Sequence, residues 1–244
     1  MHIIKLNAID STNSFLRRLS AAQTLDDYTV VVAKHQTKGR GQMGTDWRSE
    51  DAKNLTFSVL KDVSFIDVQD HFYISIVVAL SVFEALKQLH IKKIKIKWPN
   101  DILSENKKIA GILIENVIKQ NKLQASIIGI GINVNQTNFG DLLQASSLKN
   151  VSGQVFDLDE VLKAVTDRLE HNFKLLTDKK AYSDLKACYE SHLFRKNKPS
   201  TFKNAEGEMF SGFIKGVSDF GNLQVLLEDD ILKLYDLKEI SLLY

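Results

Sequence analysis

The amino-acid sequence predicts an α+β fold, with a main domain over residues 1–196 and a small β-domain over residues 197–244. Two observations predict it. Up to residue 196, segments with apolar residues at every second position are interspersed with segments whose apolar residues recur at helical spacing. Beyond Asn197-Lys198-Pro199-Ser200, a polar stretch broken by proline, only short strand-like segments remain. Composition agrees: 244 residues, 44% apolar and 25% charged, suffice for one large core or a main domain with a satellite.

Taken in order, residues 2–9 read as a first strand. Asp10-Ser11-Thr12-Asn13 then offers four consecutive N-cap residues before Phe15, Leu16 and Leu19 mark a helix face. Residues 29–33 form a β-branched run, the mark of an interior strand, and residues 54–60 a strand with Leu55, Phe57 and Val59 on one face. The most hydrophobic stretch, 72–86, lies in a helix spanning about 68–89. It is short for a membrane span and contains Ser75, Ser81 and Glu84, so it reads as a buried core helix. Ile94, Ile96 and Trp98 alternate with Lys93, Lys95 and Lys97 in a half-buried strand that falters at Pro99. A turn at 104–106 returns the chain through Lys107-Lys108 into 109–118, closing a hairpin, and 122–135 is the next strand. Asp157 caps a helix with the apolar stripe Val161, Leu162, Val165, Leu169, Phe173 and Leu176, and a second helix covers about 182–193. The last short strands are 211–217, 223–227, 231–235 and 240–243, which suggest a small β-barrel-like appendage.

Polar residues interrupt this pattern at four places. The hairpin carries Asn100, Asp101 and Lys108 beside apolar neighbours, a costly position for charge unless something pairs with it, and a charged ligand is the expectation. The four cap residues exceed what one helix needs. Plain capping is the simpler reading and an anchor for a polar ligand the other. Residues 38–47 hold Gly39, Gly41 and Gly44 with Arg40 and Trp47, either a surface loop or a loop whose backbone N–H groups approach a ligand. In residues 128–135, Ile128, Ile130, Ile132 and Val134 share one face, and Gly129, Gly131, Asn133 and Asn135 the other. That second face would seat either a heterocycle or a packed aromatic side chain.

Other chemistries are excluded. Cys188 is the one cysteine, so there is no disulfide framework or cysteine-based zinc cluster, and a cytoplasmic, reducing location is expected. The six histidines have no partners at ligand spacing, and there is no Gly-x-Ser-x-Gly elbow, Walker A loop or dinucleotide fingerprint. The N-terminus lacks the pattern of a signal peptide, and no membrane association is expected. A net charge of +2 gives no reason to expect nucleic-acid binding.

Ser11-Thr12-Asn13, Gln36, GRGQMGTDW at 39–47, KWPND at 97–101, KKIAG at 107–111 and GIGINVN at 129–135 occur in one order. Together they resemble the biotin protein ligases, and the resemblance runs the length of the chain. It implies a mixed β-sheet backed by helices, a class II synthetase-like catalytic domain, with a small C-terminal SH3-like β-barrel. It implies a two-step reaction: biotin and ATP give biotinyl-5′-AMP and pyrophosphate, and a lysine of a biotin carboxyl carrier protein then takes the biotinyl group and releases AMP.

The resemblance also implies roles. Lys108, Arg40 and Asp101 correspond to catalytic positions, with Lys108 and Arg40 at the carboxylate and phosphate of the adenylate. Ser11, Thr12, Asn13, Gln36, Arg40, Gly41, Gln42 and Lys108 correspond to the biotin pocket. Trp47, Asn100, Gly111, Gly129, Gly131 and Asn133 correspond to the ATP and adenylate side. Mg²⁺ is expected to arrive with ATP rather than on a protein ligand cluster. Met43 and Thr45 depart from the family pattern, standing where basic residues are common. Only ten residues precede Ser11, so no DNA-binding module is expected. Exposed sheet edges would allow pairing with the carrier or, as a homodimer, with a second copy.

Overall fold

Alternation along residues 128–134 divides the main sheet into two faces, one for the core and one for polar groups, and the surrounding elements follow from that division. The computed structural model describes residues 1–244. In chain order its elements are β1 (His2–Ile9), α1 (Thr12–Ala22), β2 (Thr29–Gln36), β3 (Leu55–Asp62), α2 (Phe72–Gln88), β4 (Ile94–Lys97), β5 (Asp101–Ser104), β6 (Lys107–Lys119) and β7 (Lys122–Ile132). There follow α3 (Leu148–Ser152), α4 (Leu158–Leu176), α5 (Tyr182–Ser191), β8 (Pro199–Asn204), β9 (Met209–Val217), β10 (Leu223–Leu226), β11 (Leu232–Tyr235) and β12 (Ile240–Leu243).

The main sheet runs β1-β2-β3-β7-β6-β5-β4. Strands β1 and β2 are parallel and the remaining pairs antiparallel, so the sheet is mixed, as expected. Its core face presents Phe57, Ile112, Ile128, Ile130 and Ile132 to one apolar cluster shared with α2 and α4. Helix α2 is apolar nearly all round because it is enclosed: Ile74, Val77, Val78, Ala85 and Leu86 are all fully buried. Its polar residues are used within the fold, with Asn172 of α4 donating to Ser81 Oγ and to Glu84 Oε2, each at 3.1 Å. Helix α4 starts where Asp157 accepts from the backbone N–H groups of Asp159 (2.8 Å) and Glu160 (3.0 Å), and its whole predicted stripe is buried.

On the opposite face α1 covers one end, packing Leu16 against Val31, Leu60 and Ile127. The other end of that face is left for polar groups. Helix α5 stops at Ser191, two residues short of expectation, because the chain beyond it pairs with β4. Ile96 N–H donates to His192 O at 3.0 Å and Phe194 N–H to Ile96 O at 2.8 Å.

The second sheet is antiparallel, in the order β11-β10-β9-β8-β12. Strand β8 escaped the sequence reading, since only Phe202 supplies a large apolar side chain in a polar segment that opens with Pro199. Phe202, Ile214, Val217, Leu223, Val225 and Ile240 belong to the same apolar cluster as the main sheet, so the two sheets share a core. The indole N–H of Trp98, in the turn between β4 and β5, donates to Gly221 O at 2.8 Å across this junction.

Candidate active site

Strand register sets out the site. Asp101 on β5 stands opposite Gly111 on β6, Gly111 opposite Gly131 on β7, and Gly131 opposite Thr56 on β3. The adjacent same-face row is Leu113, Gly129 and Ser58. Glycine at the middle of both rows lowers the sheet surface, and two side chains descend into the depression. A methyl group at Gly129 would overlap the Asn13 amide, and one at Gly131 the Trp47 ring. An aromatic side chain, the Trp47 ring, packs on this face over Gly131.

The start of α1 is not plain capping. Ser11 holds the N-cap position in an extended conformation without a side-chain cap bond. Thr12 instead donates its backbone N–H (2.8 Å) and its hydroxyl (3.1 Å) to Gln36 Oε1. Ser58 donates to Asn13 Oδ1 at 2.6 Å and lies 2.7 Å from Thr12 Oγ1. The Asn13 amide donates to Leu113 O (3.2 Å) and Glu115 Oε2 (3.0 Å). Ser11, Thr12 and Asn13 are all at least 96% buried, so these polar groups line an interior surface. Asp10 fixes the approach: it accepts from Ser11 N–H at 2.8 Å and pairs with Arg18, whose guanidinium holds its carboxyl down at about 2.

Two cross-loop bonds close the glycine loop. Gly41 N–H donates to Thr45 O (2.7 Å) and Trp47 N–H to Gly39 O (2.9 Å), with Gln42–Gly44 forming the tip. Arg40 turns back onto the body of the protein, donating to Ser14 Oγ at 3.1 Å and Glu115 Oε1 at 2.8 Å. Trp47 closes the other arm over Gly111 and Gly131, and its indole N–H is buried without a hydrogen-bond partner. A buried donor left open is costly, and it suits a site that completes its bonding with a ligand acceptor.

The hairpin charges pair with each other. Lys108 Nζ lies 2.6 Å from Asp101 Oδ1 and Lys97 Nζ 3.6 Å from Asp101 Oδ2. Two ammonium groups on one carboxylate leave this end of the site positive. Lys108 Nζ also lies 5.6 Å from the Trp47 ring centre. Asn100 donates its amide to Ile112 O at 2.8 Å and accepts from Ile112 N–H at its own carbonyl (3.0 Å), which binds the turn to β6.

One cavity of about 330 Å³ is lined by Ser11, Thr12, Asn13, Gln36, Arg40, Gly41, Gln42, Trp47, Asn100, Asp101, Lys108, Gly111, Gly129 and Gly131. Its size lies in the range typical of small-molecule sites. Asn133 is the exception and is corrected: β7 ends at Ile132, Val134 keeps the core parity, and Asn133 is drawn away from the cavity, its N–H donating to Ile109 O at 2.8 Å and its amide to Ser146 O at 2.9 Å. Sequence reasoning missed Ser58, Glu115 and the contribution to the cavity wall of Leu237 and Lys238, in the turn between β11 and β12, and of Ile240 at the start of β12. Glu115 shares the parity of Gly111 and Leu113, a signal that could have found it; nothing in the sequence points to residues 237–240. Burial opposes ionisation of Glu115, but hydrogen bonds from Arg40 and Asn13 outweigh it and hold its carboxyl below the ordinary value.

The chain matches the biotin/lipoate A/B protein ligase family over residues 6–133. It is 30% identical over 239 residues to the bifunctional ligase/repressor BirA of Bacillus spizizenii, covering 96% of this chain and 72% of the relative. It is 27% identical to the biotin–[acetyl-CoA-carboxylase] ligase of Mycobacterium tuberculosis, covering 87% and 79%. The solved structure of the Aquifex aeolicus biotin protein ligase in complex with biotin and ATP superposes with a TM-score of 0.82 at 31% identity, covering 99% of this chain and 98% of that one. No three His, Cys, Asp or Glu residues are placed to hold a metal ion. With its fold, its cavity and its sequence all in accord, the chain belongs to the biotin/lipoate A/B protein ligase family.

Proposed function

We propose that the chain joins biotin to ATP as biotinyl-5′-AMP and transfers the biotinyl group to a lysine of a biotin carboxyl carrier domain. One observation carries this reading: the start of α1, the Arg40–Trp47 loop and the Lys108–Asp101 pair, distant in sequence, converge on a single cavity. The relative from Aquifex aeolicus, which shares the fold across its whole length, holds biotin and ATP.

In the first step an oxygen of the biotin carboxylate attacks the α-phosphorus, the bond to the β-phosphate oxygen breaks, and pyrophosphate leaves. Two anions must meet, so the positive end of the site is the place for the reaction. Lys108 faces the phosphoryl oxygens, with Asp101 fixing its ammonium, and Arg40 stands at the loop side. Ser11, Thr12 and Gln36 supply donors and acceptors for the neutral ureido ring. Trp47 packs beside the adenylate, its open N–H directed at a ligand acceptor. Mg²⁺ carried by ATP would shield the triphosphate charge, and Asp101 and Asp46 are the carboxylates of the cavity wall that would be available to it. In the second step the carrier's lysine nitrogen attacks the acyl carbon, loses a proton, and the C–O bond to AMP breaks. The reaction belongs in the cytoplasm. The open edge of β1, paired on one side only, suits docking of a carrier strand or a second copy.

Biotin and lipoate should separate in a thermal-shift assay with MgATP. Biotin raises the melting temperature and pyrophosphate appears; stabilisation by lipoate alone would overturn the assignment.

A further inference from the structure

We infer that Glu115 is a positioning residue for adenylate formation, its single carboxylate fastening the Arg40 loop to the floor of the pocket. This rests on the reading of the cavity as the adenylate site. The two oxygens divide the work. Oε1 accepts from Arg40 of the loop (2.8 Å) and sits 3.4 Å from Arg17 of α1, while Oε2 accepts from Asn13 of the pocket (3.0 Å). Asn13 is held in turn by Ser58, so a continuous chain of bonds runs Ser58–Asn13–Glu115–Arg40 from beneath the pocket to its cover.

The loop has few other fastenings. Thr45 bonds only within the loop, to Gln42 O, and Asp46 meets only Arg48 at 3.6 Å on the surface. Met43 is half-exposed at the tip. The entry arm therefore depends on Arg40, with Nη1 on Ser14 and Nη2 on Glu115, and the exit arm depends on Trp47. The Glu115 side chain is only 13% exposed against 44% for Arg40, so the carboxylate is the fixed post and the guanidinium the part that comes to it. A charged, largely desolvated hydrogen bond of this kind is strong enough to decide whether a short loop stays closed. A closed loop keeps a reactive mixed anhydride from water until the carrier arrives.

The test compares wild type with Glu115→Gln, which keeps shape and an acceptor for Asn13 but removes the charge. Three readouts are followed: thermal melting, release of biotinyl-AMP into solution without carrier, and trypsin cleavage after Arg40 with biotin and MgATP present. Glu115→Gln should melt close to wild type, release adenylate about tenfold faster, and be cleaved faster after Arg40. Glu115→Asp, which restores the charge on a shorter stem, should recover part of the retention. Release and cleavage at wild-type rates in Glu115→Gln would overturn the inference. Should that variant fail to fold, Arg40→Ala, made on the exposed side of the same bond, gives adenylate release directly and loop opening through trypsin cleavage after Lys38, which it retains. If wild type itself makes no biotinyl-AMP, the functional reading fails, and cleavage after Arg40 in the variants still decides whether Glu115 fastens the loop.

Discussion

Lys108 shows how a single residue changes meaning between sequence and structure. In sequence it is a cation set among apolar neighbours; in the fold it is held 2.6 Å from Asp101, already oriented before any phosphate arrives. Lys108→Ala should cut pyrophosphate release from biotin and ATP by at least about a hundredfold, the scale of losing one charge-stabilising group. It should leave melting nearly unchanged, since Lys97 remains beside Asp101. Near wild-type pyrophosphate release would remove Lys108 from the chemistry. Gly131 tests the floor. Gly131→Ala drives a methyl into the Trp47 ring and should raise the KM for ATP by about tenfold; an unchanged KM would mean the ring can leave without cost to ATP use. Ser11, Thr12 and Asn13 stood out because a helix start does not need that many cap residues, and Gln36 through the family resemblance alone. Ser58 was not, because one serine in a strand is unremarkable until its partners are known. Asn133 was misread because sharing a face with Gly131 does not bring a residue into the cavity once its amide is taken up by Ser146 O.

At the scale of elements, periodicity located most strands and helices, since burial on one face leaves a period of two or 3.6 in the sequence. It failed where tertiary pairing decides the ends. Strand β8 has too few apolar residues to announce itself, and α5 is cut short by the bonds of His192 and Phe194 to Ile96. The same junction carries a pH dependence. His192 stacks on Phe83 with ring centres 4.1 Å apart, and burial, with Lys95 and Lys87 nearby and Glu84 opposing them, lowers its affinity for a proton. The unfolded chain then takes up the proton first, so stability is full above the ordinary imidazole value of about 6.5 and is lost as pH falls from there toward the folded value. Urea unfolding at pH 7.5 and pH 5.5 should show this loss, and His192→Phe should reduce it. An equal loss in the variant would place the dependence elsewhere. The glycine loop belongs to this scale as well: cross-loop bonds from Gly41 and Trp47 close it, and no periodicity in its sequence announces them.

For the whole molecule, the two sheets act as one structure. Their apolar residues form a single cluster, Trp98 bonds to Gly221 across the junction, and Leu237, Lys238 and Ile240 reach the wall of the cavity. The sequence disclosed the second unit through its change of pattern but not its share in the site, because contacts between distant segments leave no period. The first sheet supplies the surface, α1 and the Arg40–Trp47 loop enclose it, and the Lys108–Asp101 pair makes one end positive. This arrangement suits joining a carboxylate to a phosphate and then passing the acyl group to an amine. The most direct test is to incubate the protein with biotin, MgATP and a biotin carboxyl carrier domain and weigh the carrier. The expected result is a gain of one biotinyl group on one lysine, absent without ATP and absent when that lysine is arginine. An unmodified carrier, or one modified equally well without ATP, would contradict it.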